Sequence, residues 1–301
     1  MNLPIALLGP LCLCVVPLGV LRASGVQDDL VAADAKLEKA ATGFQFTEGP
    51  ASDADGNCWF TDIRAEKIHK YDLASGKAIL VREKTGRANG LMADAKGVLF
   101  VCEGGNGRVV KLDGDKVTPV AEKFNDKPFN SPNDLCLDAK GGLYFTDPSF
   151  RGGKSSQDKE AVYHVTAEGK VARVADDLIR PNGLILSLDH KILYIADTAG
   201  QKVRAYDVKD DGSLAGGRDF AKLDDSRRGG PDGMTIDEKG NVYGAGQGAV
   251  WIWDSAGKLL KKIDVPEGPT NCTFAGKERR TLFVTAQTSL YKIEMKVKGG
   301  R

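Results

Sequence analysis

The chain has almost no histidine: His69, His164 and His190 are all it contains. A Ser-His-Asp nucleophile or a histidine-rich metal site therefore has little to draw on. No G-x-S-x-G occurs, so the strand-to-helix turn that exposes a catalytic serine is missing. No C-x-x-C pair occurs, which removes the common zinc and redox motifs. Net charge is +1, too small to mark a binder of nucleic acid or of a membrane surface. Long amphipathic helical patterns are scarce. Glycine, by contrast, is plentiful at 36 residues, beside ordinary hydrophobic (42%) and charged (28%) content. That balance favours many short strands joined by turns.

One long apolar run exists, "LPIALLGPLCLCVVPLGVL", and Arg22 is the first charge after it. Pro4, Pro10 and Pro17 interrupt it, and Ala23, Ser24 and Gly25 follow. Residues 1–25 read as a cleaved secretory signal rather than a membrane anchor, so the chain is expected to be exported, periplasmic or secreted. No second run of that kind follows, and the mature part is expected to carry no stable membrane span. Cys12 and Cys14 leave with the signal. Export permits disulfides among Cys58, Cys102, Cys136 and Cys272. Residues 26–42 read as a lead segment, 43–295 as the folded domain and 296–301 as a tail.

The domain is a repeat. "TEGPASDADGNCWFTDI" recurs as "ANGLMADAKGVLFVCE", "PNDLCLDAKGGLYFTD", "PNGLILSLDHKILYIAD", "PDGMTIDEKGNVYGAG" and "TNCTFAGKERRTLFVTA". The period of roughly 40–50 residues is that of a β-propeller blade. Each copy is a strand, a polar turn often written Asp-x-x-Gly, and a second strand. Trp59, Phe100, Tyr144, Tyr194, Tyr243 and Phe283 share one position, suited to filling the space between blades. Alternating stretches such as "KIHKYD" and "VWIWD" supply a third strand, and "AILVRE" and "VTPVAE" a fourth. The expected fold is all-β: a six-bladed β-propeller with four-stranded antiparallel blades. Cys58 and Cys136 replace apolar residues of other copies, so the four thiols are expected to be buried and unbridged.

One column of the repeat carries chemistry. It holds Glu48, Asn89, Asn133, Asn182, Asp232 and Asn271, an oxygen-bearing side chain in every copy. Taken singly, an Asn before Gly reads as a turn former. Six equivalent positions around one axis read instead as a ring of ligands, with carboxylates close enough together to need a compensating charge. Carboxylate and amide oxygens suit a hard divalent cation, Ca²⁺ first, then Mg²⁺ or Mn²⁺; Zn²⁺ fits less naturally.

At this point the chain resembles the gluconolactonase, regucalcin and luciferin-regenerating-enzyme family of six-bladed propellers. "FTEGP", "NSPNDL", "FTDPSF", "RPNGL" and "GGPDGM" carry the likeness, in that order. The resemblance implies that Glu48, Asn182 and Asp232 bind a divalent cation. It implies that Asn133 is a further ligand or holds substrate, and that Asp232 doubles as catalytic base. Asn89 and Asn271 are then candidates for substrate contact, as are Arg87 and Arg180, each two residues before its blade's Asn. The family often has an arginine at that offset from Asn133; here it is Ser131.

The expected activity is metal-dependent hydrolysis of a small sugar lactone. The cation polarises the ester carbonyl and Asp232 takes a proton from water. The same apparatus suits other esters or phosphotriesters. A third reading is a non-enzymatic propeller that binds a ligand and is stabilised by calcium. The partner in each case is a small molecule, not nucleic acid, and the residues leave the oligomeric state open.

Overall fold

The computed structural model describes residues 1, 30–150, 155–223 and 227–300. The signal expected over 1–25, with Cys12 and Cys14, lies outside them apart from Met1, as does the start of the lead segment. The chain forms six four-stranded antiparallel sheets, with one further two-stranded ribbon. These sheets are the blades of a propeller.

In blade one the strands run outward from the axis in chain order: Thr47–Ser52, Cys58–Asp62, Lys67–Asp72 and Lys77–Glu83. Blades two to five repeat the pattern, with innermost strands Ala88–Ala93, Leu135–Leu137, Pro181–Leu186 and Pro231–Ile236. Blade six takes three strands from the C-terminus, beginning with Pro269–Ala275. Its outermost strand, Glu38–Thr42, comes from the N-terminus. The lead segment thus supplies the strand that the sixth repeat lacks. Joining the two ends of the chain in one sheet closes the ring and leaves no gap between first and last blades.

The repeated aromatic position packs as expected. Tyr144, Tyr194, Tyr243 and Phe283 are buried on second strands, while Trp59 and Phe100 are half-buried. Cys58, Cys102, Cys136 and Cys272 are buried and free. Burial also pushes all three thiols among Cys58, Cys102 and Cys272 upward in pKa, which keeps them unreactive.

Two local devices set the geometry at the axis. The first is an aspartate closing the second strand. Asp62 accepts from Gln45 N and Phe46 N, both at 2.9 Å, and Asp147 accepts from Asn130 N (2.9 Å) and Ser131 N (2.7 Å). Asp197 accepts from Ile179 N at 2.9 Å. Each carboxylate therefore fastens the segment entering its own blade's inner strand, and Asp147 and Asp197 do structural work here. The second device is an irregularity in the inner strand itself. Pairing slips between Glu48 and Ala51, Ala88 and Leu91, Pro181 and Leu184, and Pro231 and Met234. A slip of that kind takes a residue out of the ladder and re-aims its side chain. Asn89, Asn182 and Asp232 lie within these slips, and Glu48 stands at the edge of its own.

Candidate active site and cation site

The inner strands approach closely at the axis, and glycine makes this possible. A Cβ on Gly183 would lie 2.3 Å from Asp232 O, and one on Gly233 would lie 1.7 Å from Asn271 Cγ. Neither has a left-handed backbone. The glycines that follow Asn182 and Asp232 are thus there for close approach of blades, not for turns. Neighbouring blades are stitched at the same level. Thr61 Oγ1 donates to Asn89 O (3.1 Å), Thr198 Oγ1 to Pro231 O (2.8 Å) and Thr270 Oγ1 to Thr47 O (2.8 Å).

Asn133 fits this ring through its backbone: its N donates to Thr146 O at 2.9 Å and its O accepts from Gly90 N at 2.7 Å. The next residue departs from the repeat. Where four other copies have glycine and blade six has Cys272, blade three has Asp134, and its side chain reaches the axis. Asn271 Nδ2 donates to both Asp134 Oδ2 and Glu48 Oε2, each at 3.1 Å. Asn271 Oδ1 accepts from Cys272 N at 2.8 Å, which fixes the orientation of the amide. All three polar functions of Asn271 are therefore used within the protein. It bridges two carboxylates rather than facing outward to a substrate. Asp134 was missed in reading the sequence. The one signal for it is that "PND" breaks a column otherwise held mainly by glycine.

Three carboxylates thus meet where water is scarce. Burial pushes Glu48 up to about 7, against the hydrogen bonds it accepts from Gly49 N and Asn271. Burial and then the charge of Glu48 push Asp134 up to about 8. Burial, Glu48 and Asp134 together hold Asp232 well above the ordinary aspartate range, although Asn182 gives it a hydrogen bond. Mutual repulsion of this kind is relieved either by protons or by a cation.

The donor set favours a cation. Asp232 Oδ1 and Asn89 Oδ1 are buried atoms with no hydrogen-bond partner. Buried oxygens are rarely left so, and a ligand that takes lone pairs from both charged and amide oxygens resolves them together. Among the described residues no three His, Cys, Asp or Glu side chains are grouped to hold a metal by themselves. A cation set built on Glu48 and Asp232 would have to draw on amide oxygens as well.

The chain matches the SMP-30/Gluconolactonase/LRE-like region over residues 46–288. It belongs to that family. It is 29% identical to the gluconolactonase of Zymomonas mobilis, across 90% of this chain and 85% of that protein. It is 30% identical to the lactonase drp35 of Staphylococcus haemolyticus, across 78% and 74% of the two chains. The solved gluconolactonase of Xanthomonas campestris superposes with a TM-score of 0.82 at 29% identity, covering 88% of this chain and 91% of that one.

The two arginines read from the sequence lie at the surface, just before the inner strands of blades two and four. Arg87 and Arg180 each precede an inner strand by one residue, both in the left-handed region (φ 56° and 58°) and both exposed. Arg180 N donates to Glu160 Oε2 at 2.7 Å, and its guanidinium lies 5.9 Å from the centre of the Phe150 ring. The same Glu160 accepts from Ser149 N at 2.7 Å, so one carboxylate fixes both sides of this wall. The loop after Phe150 is described only from Ser155 onward.

Proposed function

We propose that this protein hydrolyses a small sugar lactone, with a divalent cation, Ca²⁺ in the first place, at the ring. The observation that carries the reading is the convergence of Glu48, Asp134 and Asp232 at one end of the channel, with Asp232 Oδ1 buried and unpartnered. The family and the lactonases among its relatives point the same way.

Glu48, Asn182 and Asp232, with Asn133, are the residues assigned to hold the cation. When bound, it supplies Lewis-acid polarisation of the ester carbonyl and stabilises the negative charge that grows on its oxygen. Asp232 has the remaining task. A water attacks the carbonyl carbon and gives its proton to the Asp232 carboxylate. The ring C–O bond then breaks, and the leaving alkoxide takes that proton back, so a hydroxy acid leaves and the carboxylate is restored. Asn182 keeps the Asp232 side chain oriented toward the axis. Asn271 holds Glu48 and Asp134 apart by donating one hydrogen to each. Arg87 and Arg180 are assigned to the polar tail of the substrate.

Export rests on the apolar leader alone. N-terminal sequencing of the secreted chain checks it, and a retained Met1 would count against it. For the activity, the test is a panel of aldonolactones assayed with chelated protein and after readdition of Ca²⁺, Mg²⁺, Mn²⁺ or Zn²⁺. Hydrolysis that needs a divalent ion supports the reading. Full turnover in the chelated protein, or no turnover on any lactone with every ion, overturns it.

A further inference from the structure

The central channel has a second mouth. At the far ends of the inner strands a cavity of about 450 Å³ opens, with Asp134 and Asn271 in its floor. That volume lies within the range of small-molecule sites. Leu91, Ile185 and Met234 line its wall, and Lys277 and Arg279 stand at its rim.

The rim charge comes from a break in the repeat. Blades one, two, three and five open the turn after the inner strand with Asp53, Asp94, Asp138 and Asp237. Blade six has "GKERR" there instead, from Gly276 to Arg280. Asp53 and Asp94 also line the cavity, but three of their four oxygens are occupied. Asp53 Oδ1 accepts from Asp55 N (3.0 Å) and Asn57 N (2.8 Å), and its Oδ2 from Asn57 Nδ2 (3.0 Å) and Trp59 Nε1 (2.9 Å). Asp94 Oδ1 accepts from Lys96 N and Val98 N, both at 2.9 Å. Glu278, between the two cations, lies 3.9 Å from Lys298 Nζ.

Among the described residues Arg279 has no counter-charge bonded to it. It is half-buried, and its Nε is buried without a partner. Burial alone draws its pKa down, with no acid beside it to oppose the shift. It also takes a left-handed backbone (φ 54°), which the turn enforces. A part-buried guanidinium facing a concave, partly apolar space is suited to an anion.

We propose that this back cavity binds a short-chain aliphatic carboxylate. The carboxylate sits on the outer nitrogens of Arg279 with Lys277 beside it, and the hydrocarbon lies against Leu91, Ile185 and Met234. A single carboxylate matches one guanidinium and one ammonium, whereas a doubly charged phosphate would also meet the carboxylates of Asp53 and Asp94. The cavity shares Asp134 and Asn271 with the ring, but its cationic rim at Lys277 and Arg279 does not rest on the lactone reading.

The experiment is calorimetric titration of the full chain with hexanoate, with hexan-1-ol and hexylamine as neutral and cationic probes of the same length. Hexanoate is expected to bind saturably and the other two at least tenfold more weakly. Arg279→Gln, checked for unchanged melting, is expected to weaken hexanoate by about tenfold or more, the usual worth of a charged hydrogen bond. Arg279→Lys and Lys277→Gln should each lose less. Asp232→Asn should bind hexanoate as the parent does. The proposal is overturned by no saturable hexanoate binding, by equal binding of hexan-1-ol, or by unchanged affinity in a folded Arg279→Gln. Loss of binding in Asp232→Asn would place the ligand at the ring and overturn it as well.

Discussion

Two aspartates at opposite ends of one strand have opposite surroundings. Asp237 follows the inner strand of blade five and is fully buried. Its Oδ1 accepts from Lys239 N and Asn241 N at 2.9 Å. Its Oδ2 accepts from Asn241 Nδ2 at 2.8 Å and from the Tyr243 hydroxyl at 2.9 Å. Asp232, near the start of the same strand, has one oxygen buried with no partner at all. A buried carboxylate with its lone pairs filled holds a turn together. One with an oxygen left unfilled, next to Glu48 and Asp134, destabilises the fold until something binds. Residue type is the same in both places, and only the supply of donors separates structure from function.

The sharpest way to break this contrast is Asp232→Asn, which keeps the shape but removes the basic oxygen. With the cation site saturated, lactone turnover is expected to fall by about a hundredfold or more. Melting of the chelated protein should hold or rise, because a repelled charge has gone. Near-normal turnover would remove Asp232 from the role of base.

Asp237→Ala should do the reverse. It strands two backbone N–H groups, the Asn241 amide and the Tyr243 hydroxyl, and is expected to cost about 2–4 kcal/mol of stability. Turnover per folded molecule should stay as in the parent. Urea unfolding paired with active-site titration reads both, and a large drop in turnover without loss of stability would collapse the distinction.

Asn271→Ala tests the bridge between Glu48 and Asp134. Removing the shared donor leaves two desolvated carboxylates facing each other, so the chelated protein should lose about 1–3 kcal/mol. Added Ca²⁺ should recover most of that loss. Recovery absent at saturating Ca²⁺ would show that Asn271 serves packing and not charge.

The smallest effect is on pH dependence. Glu48 at about 7 and Asp134 at about 8 lie above their unfolded values of 4.5 and 3.8. Groups raised in the fold stabilise it fully below the unfolded pKa, and that contribution is lost as pH rises through the folded pKa. Chelated protein should therefore melt lower at pH 8 than at pH 5.5, and Ca²⁺ should flatten the slope. A flat profile without the ion would mean that the ring is better solvated than its burial implies.

Much of this arrangement was legible in the residues. The blade repeat shows because each copy carries an aromatic at one position and most turn with Asp and Gly, and a repeated physical task leaves a repeated pattern. The ring column shows because six equivalent polar positions on apolar strands need a reason. The closing strand Glu38–Thr42 was not legible: it pairs with Ser289–Glu294 across the whole length of the chain, and its "EKAAT" carries no strong alternation. Asn271 looked like a member of the ring with spare polar atoms. Only its neighbours in space showed them all spent.

By itself, then, the sequence determined the architecture and the oxygen-bearing residue types brought to the inner strands. Period, turn chemistry and strand alternation are local, and they survive reading one residue after another. Tertiary structure alone decided that Asp134 reaches Asn271 and joins the electrostatics of Glu48, that the glycines after Asn182 and Asp232 serve approach and not turning, and that Asp237 is satisfied while Asp232 is not. Those outcomes depend on which donors other blades bring to the axis. Hydrogen bonds and Coulomb energies act through distance in space, and in a closed ring residues 137 positions apart, such as Asp134 and Asn271, become neighbours.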